Sequence, residues 1–252
     1  MSVSRDVLVA YLDEYLAVAE WSDKALNGIQ VEGRAEVTRV ATATDAALAT
    51  FALAADAGAD FLVVHHGLFW GAPVPITGPT RERIAALLDT GISLYAAHLP
   101  LDAHPEVGNN AVLARLLGLT GVGPFGEWDG RAIGVRGRLA EPADPHELAA
   151  RLEALLGGRT EVLAFGPGAI ERLAIVSGDA AELVEDAARA GLDALVTGET
   201  RHQAWHPARE SRLHLLFAGH YATETLGVRA LGDHVAETFG VETVFLDVPT
   251  GY

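Results

Sequence analysis

Phe61-Leu62-Val63-Val64-His65-His66-Gly67 carries four apolar residues straight into two adjacent histidines and a glycine. A short β-branched, apolar run bounded by Gly reads as a buried parallel strand. Its last residues then lie at the strand's carboxyl end, where open α/β sheets place their ligand crevices. Two neutral imidazoles at that edge each offer a ring-nitrogen lone pair to a metal. Alone, such a pair is more often two core or solvated histidines than a site. What tips the balance is that other strands bring similar chemistry to the same edge.

On either side of this stretch, strand-like and helix-like segments alternate. Ser4 is a candidate cap for a helix through about residue 18, with Val7, Leu8, Tyr11, Leu12 and Tyr15 on one face. A turn-rich loop is expected over Asn27-Gly28-Ile29-Gln30-Val31-Glu32-Gly33. Strands are expected at 37–43, 61–64 and 92–97, and helices at 45–57, 80–88 and 110–117. This βαβα order predicts a largely parallel sheet covered by helices. The middle differs. Gly123-Pro124-Phe125-Gly126 marks a candidate boundary, and 131–139 alternates like a half-exposed strand. Asp144-Pro145 opens a helix to about residue 156, and 161–165 forms a further short strand. The α/β rhythm then returns, with strands at 173–176, 194–197, 214–218 and 242–246.

The two halves carry an internal repeat. Arg39-Val-Ala-Thr-Ala-Thr-Asp45-Ala46-Ala47 matches Arg172-Leu-Ala-Ile-Val-Ser-Gly-Asp179-Ala180-Ala181, with one extra residue before the second aspartate. Further on, Asp56-Ala-Gly58-Ala-Asp60-Phe-Leu-Val-Val-His65-His66 matches Arg189-Ala-Gly191-Leu-Asp193-Ala-Leu-Val-Thr-Gly198-Glu199. Gly, Asp and strand end fall in step, which sets His66 and Glu199 at equivalent strand ends. The expected fold is α/β, with duplicated α/β lobes, largely parallel sheets covered by helices, and a metal cleft between lobes. The lobes are expected at 1–125 and 126–252, the second including a small βαβ segment at 131–165.

Composition bounds the function. The 252 residues are half hydrophobic, enough for a sizeable core and against disorder. No apolar run reaches membrane-spanning length, and Met1-Ser-Val-Ser-Arg-Asp6 lacks a signal-peptide pattern, so no membrane role and a cytoplasmic location are expected. The absence of cysteine excludes disulfides and thiolate metal sites. A formal charge of −16 argues against a nucleic-acid surface, which needs clustered Lys and Arg. An anionic substrate would need local cationic help, which a metal can supply.

Four strand ends collect the polar chemistry. His65-His66 is the first. In Tyr95-Ala-Ala-His98-Leu-Pro-Leu-Asp102, an apolar strand ends in His and an Asp follows four residues on; Pro100 biases Leu99 toward an extended conformation. Phe217-Ala-Gly219-His220-Tyr-Ala-Thr223-Glu224 breaks at Gly219, and a helix starting around Tyr221 sets His220 and Glu224 on one face. Thr197-Gly198-Glu199 with His202 is the fourth. Each has a plain structural explanation: a helix-dipole carboxylate at Glu224, a turn cap at Asp102, a core histidine at His98, an exposed pair at Glu199 and His202. Together they deliver imidazole and carboxylate, without thiolate, to one edge. Such a set suits Zn, Mn, Fe or Ni. A carboxylate can bridge two such ions about 3.5–4 Å apart, clamping a hydrolytic water and a leaving oxygen.

These stretches resemble the motifs of the dinuclear-metal family of GTP cyclohydrolase I type 2 homologues. The resemblance runs from Asn27-Gly28-Ile29-Gln30 to the helix carrying Glu224, nearly the whole chain. It implies a duplicated α/β fold, a ring-shaped homohexamer, and two divalent metal ions per chain facing an inner cavity. It implies His65, His66, Asp102, His220 and Glu224 as ligands, with Asp102 or Glu224 bridging. The chain departs from many relatives at Leu99-Pro100, where they carry Thr-Asn, and at Gln203, where they carry a second histidine. The compact 131–165 segment leaves no room for the inserted domain of longer relatives.

Two function classes follow. One is a metal-dependent hydrolase acting on a nucleotide or another phosphorylated small molecule, with His98, Glu199 or His202 as candidates for proton transfer. The other is a non-catalytic protein that stores or delivers metal or serves as a scaffold. Room for water in carboxylate–imidazole sites favours the hydrolase.

Overall fold

The computed structural model describes residues 1–251. The chain opens with β1 (Val3–Ser4) and the helix α1 (Arg5–Tyr15). Next come β2 (Gly28–Val31), β3 (Glu36–Val37), β4 (Arg39–Asp45), α2 (Leu48–Asp56) and β5 (Phe61–His66). They are followed by α3 (Gly78–Thr90), β6 (Ser93–Ala96) and the single turn α4 (Leu99–Asp102). β4, β5 and β6 are parallel, and β2 adds antiparallel to β6. Side chains along these strands alternate between two cores, as the two-residue period of a strand requires. Val40, Phe61, Val63 and Tyr95 pack with Leu8 and Leu12 of α1. Ala41, Leu62, Val64 and Leu94 pack with Phe51 of α2 and Leu87 of α3. Both faces of β5 are therefore covered, and polar groups enter only at its end, with His65 and His66.

The second stretch comprises α5 (Asn109–Leu116), β7 (Thr120–Trp128), β8 (Arg131–Ala143), α6 (Pro145–Leu156) and β9 (Glu161–Leu163). It continues with β10 (Ile170–Ile175), α7 (Val184–Arg189), β11 (Ala194–Thr197), α8 (Trp205–Glu210) and β12 (His214–Phe217). β10, β11 and β12 are parallel; β8 and β7 extend one edge antiparallel and β9 the other. Leu173, Ile175, Val196 and Leu216 face α5 and α6, while Ala174, Leu195 and Leu215 face α7 and α8. α6 follows local rules: Asp144 accepts the His146 N–H at 2.8 Å, Glu147 completes a capping box, and Gly157 ends the helix at φ 77°. The chain ends with α9 (His220–Phe239) and β13 (Glu242–Phe245), which pairs parallel with β4. No helix among the described residues is long and apolar enough to cross a membrane.

Two compact units result. One holds Met1–Val107 with Gly227–Val248, the other Gly108–Leu226 with the residues from Pro249 on. The division thus falls ahead of residues 125/126, because β7 is the hairpin partner of β8. Gly123–Gly126 is strand, not linker. The chain also returns to the first unit, because β13 completes the first sheet. Three local expectations change as well. The expected loop at 27–33 contains β2, which Ala96 and Tyr95 hold in register with Gly28 and Ile29. Ser4 sits at the cap position without a capping bond; it pairs with Glu36 in β1, and the Arg5 N–H donates to Ala35 O at 2.8 Å. Leu99 is helical rather than extended, since Pro100 lies in the first turn of α4, where a missing N–H is harmless.

The repeat holds to the level of single bonds. Asp60 accepts the Thr38 and Arg39 N–H groups at 2.9 and 3.3 Å; Asp193 accepts those of Glu171 and Arg172 at 3.1 and 2.7 Å. Gly58 and Gly191 turn their helices into β5 and β11 at φ 67° and 69°, where a side chain would be strained. Burial pushes the Asp60 carboxyl up, but these N–H groups, the Thr38 hydroxyl and Arg34 outweigh it and hold it below 3.8. A depressed folded value stabilises above the unfolded value, and the gain is lost as pH falls through the folded one. Asp60→Asn is expected to lower the unfolding free energy by about 1–3 kcal/mol at pH 7. In denaturant titrations that gap narrows below about pH 4.

Candidate functional site

Three histidines meet in the first unit. β5 ends in His65 and His66, and β6 leads through Ala97 to His98, at the cap of α4. Each ring brings one nitrogen within 4.8 Å of the others. Ring centroids lie 4.7 Å apart for His65 and His66, and 5.0 and 5.8 Å from His98. Each ring is tethered through Nδ1. The fully buried His65 meets the Ala97 carbonyl at 2.9 Å, His66 meets Asp45 Oδ1 at 2.8 Å, and His98 lies 3.0 Å from both Asp23 oxygens. Carbonyls and carboxylates only accept, so Nδ1 carries the proton. The neutral ring's lone pair is then on Nε2, the arrangement that second contacts impose on metal-ligating histidines. Asp102, the last residue of α4, sets Oδ2 3.4 Å from His65 Nε2.

The supports are themselves supported. Burial pushes the Asp23 carboxyl up, but His98, the Asn27 amide and the Ala25 N–H hold it well below the usual carboxylate range. Asn27 Oδ1 accepts the His98 N–H at 2.7 Å, and Asp23 accepts that of Leu99 at 3.1 Å. Gln30 Oε1 accepts the Leu68 N–H at 2.7 Å. A Cβ on Gly67 would stand 2.3 Å from Gln30 Nε2 and 2.7 Å from the Ala96 Cβ, so only glycine fits after the histidines.

A different set gathers in the second unit. His220 opens α9, and Glu199 lies two residues beyond β11. His220 Nδ1 donates to Glu199 Oε1 at 2.7 Å, and Nε2 meets the buried Glu224 Oε2 at 3.0 Å, one helical turn on. Burial pushes the imidazole down, but Glu224 and Glu199 outweigh it and raise it to about 9. Glycines let the backbones close in beneath. The N–H groups of Gly198 and Glu199 both donate to Gly178 O, at 2.8 and 2.9 Å. A Cβ on Gly178, at φ 65°, would stand 2.3 Å from Glu224 Oε1, and one on Gly198 2.7 Å from the His220 Cα.

Of the residues singled out from sequence, His65, His66, His98 and Asp102 come together in the first unit, and Glu199, His220 and Glu224 in the second. His202 does not join them; it is exposed on a 3-10 turn, and Glu199 bonds to His220 instead. Asp45 and Asp23 were missed. Asp45 had a signal, because it ends a repeated strand whose neighbour ends in His66. Asp23 had none, since it lies in a stretch without periodicity.

A raised folded value for His220 stabilises fully below its ordinary 6.5 and is lost as pH rises through about 9. In metal-free protein, Glu224→Gln is therefore expected to be markedly less stable than wild type at pH 6, with a smaller gap at pH 10. Chemical denaturation at the two pH values checks this. Gly178→Ala is expected to destabilise at both, through the strained backbone and the displaced Glu224 carboxylate.

The Duf34/NIF3 (NGG1p interacting factor 3) family model matches residues 3–251. The chain is 46% identical over 249 residues to a Deinococcus radiodurans protein named GTP cyclohydrolase 1 type 2 homolog, covering 99% of this chain and 95% of that one. An Escherichia coli protein of the same name is 42% identical over 243 residues, covering 94% and 95%. The crystal structure of TTHA1606 from Thermus thermophilus superposes with a TM-score of 0.91 at 46% identity, covering 99% of this chain and all of that one. The chain belongs to the Duf34/NIF3 family.

Proposed function

We propose that the protein is a dinuclear-metal-dependent hydrolase acting on a nucleotide or another phosphorylated small molecule. In this reading His65, His66, Asp102, His220 and Glu224, the set that the resemblance implies, hold two divalent ions per chain. The single observation that carries it is the Nδ1 tether common to every one of these imidazoles, to the Ala97 carbonyl, Asp45 or Glu199. The donor set is imidazole and carboxylate without thiolate, which fits a hydrolytic rather than a closed structural site. Divalent ions bound there supply Lewis acidity, activating a water as nucleophile and neutralising the charge on a leaving oxygen. The assembly implied by the resemblance, a cytoplasmic homohexamer, completes the proposal.

The chain's own residues supply the proton handling. His98 donates Nδ1–H to an Asp23 carboxylate held ionised by its surroundings, which orients the ring and leaves the lone pair on Nε2. This is the base-and-orienter pairing that general acid–base catalysis requires. Glu199 accepts the His220 proton at Nδ1 and so sets that ring. His202, exposed on the same segment, is a secondary candidate for proton transfer toward bulk water.

The test is turnover by metal-loaded protein across nucleoside phosphates and sugar phosphates. Phosphate release or ring hydrolysis that stops on chelation and returns with metal is expected. His98→Ala and Asp23→Asn are expected to lower kcat by roughly 10²–10⁴-fold with metal content retained. Full metal occupancy without turnover on any member would contradict the hydrolase and favour metal storage or delivery.

A further inference from the structure

The two copies of the repeat end their first strands differently. In the first copy the exit is tied backbone to backbone, with Ala46 N–H donating to His66 O at 2.8 Å. In the second copy Gly178 is the extra residue, and the N–H groups around it go to side chains instead. Ser177 N–H donates to Asn110 Oδ1 at 2.7 Å, Gly178 N–H to Thr223 Oγ1 at 3.2 Å, and Ala180 N–H to Thr197 Oγ1 at 3.2 Å. The Thr197 hydroxyl in turn donates to Gly178 O at 3.1 Å, beside the Gly198 and Glu199 N–H groups on the same carbonyl.

Both threonines are sunk in protein, Thr197 at 0% and Thr223 at 1% exposure. Thr197 stands where the first copy has Val64, a side chain of the same shape without the hydroxyl. Burying a hydroxyl costs free energy unless it is bonded, so packing alone favours valine there. The hydroxyl instead spans the inserted residue, accepting on one side of it and donating to it on the other. Thr223 lies between His220 and Glu224 on α9, with its Oγ1 2.9 Å from both the Gly219 and His220 carbonyls. One hydroxyl therefore grips Gly178 from the strand and the other from the helix. Gly178 is the residue against which the Glu224 carboxylate packs, leaving no room for a Cβ.

We propose that Thr197 and Thr223 are positioning residues: by fixing Gly178 they set where Glu224 and Glu199 stand about His220. The inference rests on the metal-dependent reading above and adds to it the groups that shape the carboxylate set of the second unit.

Two readouts test it. NMR of metal-free protein follows the His220 ring, and absorption titration with Co(II) reads both affinity and ligand field. Thr197→Val, which installs the first copy's residue, and Thr223→Val are each expected to shift the His220 ring signals. Both are expected to bind Co(II) about 10–100-fold more weakly, with an altered spectrum. Thr197→Ser and Thr223→Ser keep the hydroxyl and are expected to return all of these toward wild type. Leu152→Ala, a core truncation in α6, is expected to melt earlier with the His220 signals and Co(II) spectrum unchanged. Either threonine supplies the full comparison if the valine variant of the other does not fold. Valine variants with wild-type signals, serine variants no better than valine, or the same changes in Leu152→Ala would each overturn the clamp. A wild type that takes up no Co(II) would sink the metal-dependent reading, and the metal-free NMR comparison then decides the clamp by itself.

Discussion

The hydrogen bond at Nδ1 of each histidine does two things at once. It fixes the plane of the ring, and it decides which nitrogen keeps a lone pair. His66, His98 and His220 each spend Nδ1 on a carboxylate, and His65 spends it on a backbone carbonyl. Those acceptors are in turn placed by the backbone. Ala97 follows β6, Asp45 ends β4, and Asp23 is pinned by the N–H groups of Ala25 and Leu99. Ala97 is fully buried and the Asp23 side chain nearly so, while the Asp45 and Glu199 carboxylates are partly exposed. A site built so can keep its geometry with little reorganisation, which is what both tight metal binding and catalysis ask of a protein.

The duplication separates scaffold from chemistry. What the two copies share is the entry to the second strand: Arg39 and Arg172, Gly58 and Gly191, Asp60 and Asp193. What they do not share is the strand exit. In the first copy Asp45 bonds to His66; in the second the matching Asp179 pairs with Arg201, and the extra residue before it, Gly178, admits the Glu224 carboxylate through its missing Cβ. Buried apolar strands with capped entries are one general solution to folding a βαβ unit. The exits, free of that constraint, are where the two copies diverged into imidazole-rich and carboxylate-rich sets.

Much of this was legible in the sequence. Phe61–His66 and Ala194–Thr197 announce themselves because both faces of each strand are buried, and the repeat is visible because capped entries need Gly and Asp in fixed places. α6 was readable from its cap and proline alone. The misses share a cause. β2 contains Gly28, and β7 contains Gly123, Pro124 and Gly126, turn signals that long-range pairing with β6 and β8 overrides. Asp23 reaches His98 across 75 residues, and no local pattern encodes such a partner. The return of β13 to the first sheet is likewise a tertiary fact. First contacts at strand ends can be read locally; the groups that orient them cannot.

The proposed metal centre is tested most directly by elemental analysis of purified protein beside the double variant His65→Ala, Glu224→Ala. Roughly two divalent ions per wild-type chain, lost in a variant that still folds, are the expected result. A wild type that holds no metal, even after reconstitution in chelator-free buffer, would contradict the dinuclear centre and return the histidines to purely structural roles.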